Sequence, residues 1–247
     1  TNNPVKARDW RAEAARVVHK KMSDDVRAGE MFEKILKDDP AHPVASESLE
    51  SIYVQRKEWK PLVKLLETRA KSQRGEARVG THCAIAEIQE DRLDDLDQAS
   101  AHYEAALIQD PQHVGALKGL ERIYARTEKY AELLAVLDKQ LAIAATPRQK
   151  ISLLERIGGI QLEEFVDHEK AEASYAEIVA IEPGHELANA ALARIYKKLH
   201  RFDDLAETLA RHALGTEDEP RKIDLLLSAA KVLMVDVGAP ERALAMV

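Results

Sequence analysis

Apolar residues recur along this chain at intervals of three and four, the period of a helix with one buried stripe. One stretch reads Val114, Leu117, Leu120, Ile123 and Tyr124. After the polar "TEK", a second stripe runs Tyr130, Leu133, Leu134, Leu137 and Leu141. Thr146-Pro147 then opens a third helix, with Thr as the cap and Pro at the first helical position, where a missing N–H costs nothing. Its stripe is Ile151, Leu154, Ile157 and Ile160. A fourth carries Ala171, Tyr175, Ile178 and Val179 and stops at "EPGH", because Pro183 cannot continue the helical ladder. No segment alternates with period two, so strands are not expected. Extended along the chain, the pattern predicts helices over 5–21, 24–38, 43–56, 59–73, 75–92, 95–109, 113–126, 129–144, 147–163, 168–181, 185–198, 202–213, 219–236 and from 239 onward. The fold class is all-α.

The pattern also repeats. "LESIYVQRKEW" from Leu49 returns as "LERIYARTEKY" from Leu120 and "LARIYKKLHRF" from Leu192, at spacings of 71 and 72 residues. Trp59, Tyr130 and Phe202 are in register, as are Leu62, Leu133 and Leu205, and Leu66, Leu137 and Leu209. So are Phe32, Tyr103 and Tyr175; Pro40, Pro111 and Pro183; and Ala28, Ala99, Ala171 and Ala243. An aromatic, a proline and a small residue each kept in phase mark a repeat architecture whose unit is two helical hairpins.

A two-helix repeat with small residues at helix crossings and Pro after the second helix resembles the tetratricopeptide repeat. The resemblance is fullest in "IGGIQLEEFVDHEKAEASYAEIVAIEP", residues 157–183. There Gly158 takes the small position of the first helix, Ala171 that of the second, Tyr175 the aromatic and Pro183 the proline, with one extra residue in the turn. Ala86 and Ala99, and Ala230 and Ala243, fill the same pair of small positions. Alternate hairpins depart from the pattern, with Glu50 and Glu121 where the family prefers Gly or Ala, and Leu62, Leu133 and Leu205 where it prefers Ala. A Leu at that crossing should hold its helices further apart, so tight and loose hairpins are expected to alternate. The resemblance implies an α-α superhelix, a solenoid of about seven hairpins over residues 1–247. Paired units of this kind look like those of long bacterial tandem-repeat proteins.

Composition changes this picture little. With 45% hydrophobic and 32% charged residues the chain can bury a core, and no apolar run approaches a membrane span. A net charge of −7 argues against a nucleic-acid backbone as the main ligand. A lone cysteine, Cys83, excludes an internal disulfide and reads as a small semi-buried helix residue. His42, His113 and His185 each follow the repeat proline by two residues and are turn residues, too far apart along a solenoid to share an ion. "DRLDDLDQ" from Asp91 lacks the glycine and final Glu of a calcium loop. Gly158-Gly159 lies within a helix and is no phosphate loop. No nucleophile–base set stands out, so no enzyme activity, metal or cofactor is expected.

In tetratricopeptide arrays the first helix of each hairpin lines a concave groove. By that resemblance the groove would carry Glu87, Glu90 and Asp91 beside Cys83, and Lys118, Arg122 and Arg126 beside Ala125. Further along come Glu155 and Glu163 with Gly159 and Leu162, then Arg194, Lys197 and Lys198 with Ala190, then Lys231 with Met234. Acidic and basic helices thus alternate. They either neutralise one another as exposed ion pairs, each worth about 0–1 kcal/mol, or bind a peptide of mixed charge. A clamp for a C-terminal carboxylate is disfavoured, because Arg122 stands where such a clamp wants Asn. The expected function is a non-catalytic scaffold for a protein or peptide partner, with neither nucleic acid nor membrane bound. An RNA-binding helical repeat and the recruiting arm of a larger enzyme are the alternatives. A cytoplasmic location is expected, with the periplasm left open because residue 1 is Thr. Val247 falls where Tyr175 does, in mid-helix, so a longer parent array is expected. The stripe Leu226, Ala229, Leu233 and Val237 is expected to lack cover and to favour end-to-end self-association.

Overall fold

The structure, a computed structural model, describes residues 4–22 and 24–245. It divides into two compact units, Thr1–Thr127 and Glu128–Val247. Among the described residues there are fourteen α-helices and no strand. The first unit holds α1 (Pro4–Met22), α2 (Asp25–Asp38), α3 (Pro43–Arg56), α4 (Trp59–Ser72), α5 (Gly75–Asp91), α6 (Leu96–Gln109) and α7 (Val114–Arg126). The second holds α8 (Tyr130–Ile143), α9 (Pro147–Glu163), α10 (His168–Ile181), α11 (Glu186–Lys198), α12 (Phe202–Leu214), α13 (Glu219–Val232) and α14 (Pro240–Leu244).

Helix starts recur in phase because the capping residues do. Asp24, Asp95 and Asp167 each accept a hydrogen bond from the backbone N–H three residues on, opening α2, α6 and α10. His42, His113 and His185 do the same through Nδ1 for α3, α7 and α11, a role more specific than the expected turn residue. Thr146 and Gln149 form a reciprocal capping box at α9, with Pro147 at its first position as the sequence implies. The α4, α8 and α12 helices have no side-chain cap. Each instead follows a left-handed residue, Lys57, Glu128 and His200, at φ 55°, 54° and 55°.

Within each unit every helix packs chiefly on its sequence neighbours, the arrangement of an α-α superhelix. The α5–α6 and α9–α10 hairpins pack against one another more extensively than α3–α4 and α11–α12 do, the direction the Leu-for-Ala crossings imply. Phe32, Tyr103 and Tyr175 are all buried, as are Ala28, Ala99, Ala171 and Ala243 and the trio Leu62, Leu133 and Leu205. The core of the first unit gathers Phe32, Leu49, Ile52, Leu62 and Leu66; that of the second gathers Leu154, Tyr175, Ile178, Leu192 and Ile195.

The C-terminal region differs from expectation. The helix predicted over 219–236 is α-helical only to Val232 and ends in a π-helical turn, Leu233–Val237, which Gly238 closes at φ 73°. The wider turn keeps Leu233 buried among Ala206, Ala230 and Ala243. Ala229 and Leu233 are thus covered and Leu226 and Val237 half-buried, while Ile223, Leu227, Met234, Val235 and Leu244 are exposed apolar residues of this region. The expectation for Val247 lies outside the described residues.

Candidate partner-binding surface

In the first unit the charged residues of α5 and α7 face one another. Arg122 and Arg126 are one helical turn apart on α7, and Glu90 and Asp94 are four residues apart at the end of α5 and in its turn. Arg122 grips Glu90 with two parallel bonds, Nε to Oε1 at 3.0 Å and Nη2 to Oε2 at 2.8 Å. The Tyr103 hydroxyl donates to the same Oε2 at 3.1 Å. Arg126 Nη2 lies 2.7 Å from Asp94 Oδ1. Glu90, by its hydrogen bond, holds the Arg122 pKa above its ordinary value, and burial, followed by Glu90, raises that of Tyr103. Sequence reasoning named Asp91 and passed over Asp94. The signal was present, since Glu90 and Asp94 each precede an arginine by 32 residues.

The remaining predicted positions of this unit divide by exposure. Glu87, Asp91 and Lys118 are exposed. Cys83, named beside them, is buried, its Sγ 3.7 Å from His113 Nδ1. Burial pushes its pKa up to about 11, so the thiol keeps its proton at neutral pH.

In the second unit Glu155 is half-buried, with Oε1 3.5 Å from His185 Nε2. The Nδ1 of that ring accepts from the α11 backbone, so in neutral His185 the proton sits on Nε2 and points at Glu155. Glu163, Arg194, Lys197, Lys198 and Lys231 are exposed. Among the described residues, none of these four cations has an ion-pair partner.

Two clefts bring these positions together. One, of about 240 Å3, lies between α9 and α11 and is lined by Leu162, Glu163, His168, Arg194, Ile195 and Lys198. The second, of about 650 Å3, lies between α11, α12 and α13. Its apolar side is Phe202, Leu205, Leu209, Val232 and Val235, and Arg194, Lys197 and Lys231 stand round it with Asp236. Arg194 borders both. The structure thus gathers Glu163, Arg194 and Lys198 at one cleft and Arg194, Lys197 and Lys231 at the other. Burial also raises the pKa of the Tyr175 phenol behind them, and Arg194 is near enough to oppose that shift.

Among the described residues no three His, Cys, Asp or Glu side chains converge as metal ligands, and no helix is long and apolar enough to cross a membrane. A family model described as the tetratricopeptide repeat matches residues 116–151, most of α7, all of α8 and the start of α9, rather than the 157–183 stretch where the resemblance reads fullest. No curated protein matches the sequence. Solved structures similar to it include a tetratricopeptide repeat protein from Parabacteroides merdae, 15% identical, covering 98% of this chain and 91% of that one at a TM-score of 0.44. The C-terminal part of a repeat-containing protein from Cytophaga hutchinsonii is 14% identical over 96% of this chain and 99% of that one, at 0.40. YrrB, described as having an unusual peptide-binding site, is 16% identical over 73% and 89%, at 0.41. At these values the likenesses carry no functional argument.

Proposed function

With a tetratricopeptide repeat at residues 116–151 and the same helices recurring on either side, the chain is a tetratricopeptide-repeat protein, and on that premise we propose that it is a non-catalytic scaffold that holds a partner protein. The fold itself suggests protein–protein interaction. The finer reading is that an extended peptide segment lies along the first helices of the hairpins.

The observation that carries this reading is the 650 Å3 cleft of the second unit. Phe202, Leu209 and Val235 offer apolar surface, each CH2 of a partner side chain covered there being worth about 0.8 kcal/mol. Arg194, Lys197 and Lys231 stand at its rim, where charge sets orientation and partner choice more than affinity. An open cleft with an apolar floor and polar rim suits side chains projecting from a peptide. An RNA ligand would call for a continuous basic face, whereas Glu90 and Asp94 neutralise Arg122 and Arg126, Glu155 and Glu163 occupy α9, and the net charge is −7.

Selection of a random-sequence peptide display library on the full chain tests the proposal. Enrichment of a shared motif, with binding weakened at least about tenfold by Val235→Asp, supports it. Failure to enrich any motif, together with salt-dependent retention of generic single-stranded RNA, overturns it.

A further inference from the structure

In the 72-residue register the cations of α7 recur on α11. Arg194 corresponds to Arg122 and Lys198 to Arg126, so the second unit keeps both cations. It does not keep their acids. Leu162 stands in the place of Glu90, and Val166 in the place of Asp94. Where α5 supplies a carboxylate that Arg122 holds through two bonds, α9 supplies a leucine side chain and a cleft of about 240 Å3. Tyr103, whose hydroxyl completes the Glu90 site, corresponds to Tyr175. Glu163 lines the cleft but pairs with neither Arg194 nor Lys198 among the described residues.

We propose that the cleft between α9 and α11 receives a carboxylate from an acidic segment of the partner protein, held by Arg194 and Lys198 where the first unit holds its own Glu90 and Asp94. The inference rests on the scaffold reading and names the chemistry of the segment. In the first unit, internal acids already occupy the cations, and an incoming acid must displace a bidentate, charge-assisted pair. In the second unit no such displacement is needed. The two units thus share one framework but differ in what their cations are free to bind. The chain's net charge does not oppose this, because at physiological ionic strength the Debye length is about 8 Å and the local cations govern the contact. Lys197 and Lys231, round the adjoining cleft, extend the positive surface along the path a segment would take from Arg194.

The test measures binding of fluorescein-labelled hexaglutamate to the full chain by anisotropy, with hexaglutamine and a hexauridylate as comparison probes. Hexaglutamate should bind measurably better than hexaglutamine. Arg194→Glu combined with Lys198→Glu should weaken it at least about tenfold. The decisive variant is Leu162→Glu, which restores the internal acid while leaving every cation in place. It should weaken hexaglutamate binding about tenfold, whereas Ile108→Glu, an equal change of net charge on an exposed site of the other unit, should not. Glu90→Leu should act in the opposite sense, freeing Arg122 and adding a second hexaglutamate site; because it reads as a gain, misfolding cannot imitate it. Binding that ignores Leu162→Glu, or no preference over hexaglutamine, overturns the inference. So does tighter binding of hexauridylate with the same sensitivity to Arg194 and Lys198, which would assign the cleft to phosphate. If a display-selected peptide binds wild type and the Arg194/Lys198 variant equally well, the scaffold reading stands and this inference alone falls.

Discussion

Replacing Gly119 by Ala adds one methyl group to α7 at its closest approach to α6. A Cβ there would lie 2.3 Å from Tyr103 Cζ and 2.4 and 2.7 Å from the two Cε atoms. Ordinary carbon contacts are about 3.5–4.0 Å, so the ring would have to retreat by more than about 1 Å. It has little room to do so. Tyr103 is 1% exposed, and its hydroxyl is tied to Glu90. Overpacking of this kind costs about 1–3 kcal/mol. Loss of the hydroxyl bond adds about 1 kcal/mol, and the better helix propensity of Ala over Gly returns about 1 kcal/mol. The net expectation is a loss of about 1–3 kcal/mol. Urea denaturation followed by helical circular dichroism measures it, in the wild-type background and again with Tyr103→Leu. Because a chain of repeats need not unfold in one step, the comparison between backgrounds matters more than either absolute value. With the ring gone, Gly119→Ala should change sign and stabilise by about 0.5–1 kcal/mol. The same change in both backgrounds would refute the steric argument.

Val166→Gly should raise stability by about 1 kcal/mol in the same assay, because Val166 is a β-branched, exposed residue held at φ 53° where the in-phase Gly238 is strain-free; destabilisation would show that the side chain contributes packing. Ala239→Asp should add about 0.5–2 kcal/mol by restoring the cap that Asp24, Asp95 and Asp167 provide in phase, read as slower amide exchange in α14. Burial lowers the pKa values of both His82 and His102, whose Nδ1 atoms are 3.0 Å apart. The unfolded chain therefore binds protons more readily, so their contribution is complete above about pH 6.5 and is lost as pH falls through the lower folded values. Chemical denaturation at pH 7.5 and 5.5 should show this loss, and His82→Phe should reduce it; an unchanged pH dependence would contradict the assignment. Tyr124→Ala should cost about 3–5 kcal/mol, since the ring is buried and its hydroxyl donates to Glu104; a loss below about 1 kcal/mol would exclude a core role.

The helices were legible because two strong local signals agree, the three-to-four apolar spacing and the capping residues. Predicted and observed bounds coincide for α3, α9 and α10, and Thr146-Pro147 starts α9 as its chemistry requires. Core positions were legible for a different reason. A residue kept in phase across units, such as Ala99 and Ala171 or Tyr103 and Tyr175, meets the same neighbours each time. What escaped were features set by the third dimension. Nothing local in "LMVDV" marks a π-helical turn, which follows from keeping Leu233 against Ala206 and Ala243. Nor does Gly119 announce itself as the residue under Tyr103, because glycine inside a helix can as easily reflect weak selection as close packing.

The surface presents the converse problem. In phase, the repeat predicts that α7 and α11 present their cations alike, and the apolar periodicity and capping residues do not say which of them are already occupied. The answer lies in the exceptions to the repeat. Glu90 and Asp94 consume Arg122 and Arg126. Their replacement by Leu162 and Val166 leaves Arg194 and Lys198 bordering a cleft. Internal neutralisation therefore describes Arg122 and Arg126 of the first unit, and the proposed carboxylate contact is the reading for Arg194 and Lys198 of the second. In this chain the in-phase positions build the framework, and Leu162 and Val166, the exceptions to it, are where the proposed ligand would meet cations that no internal acid holds.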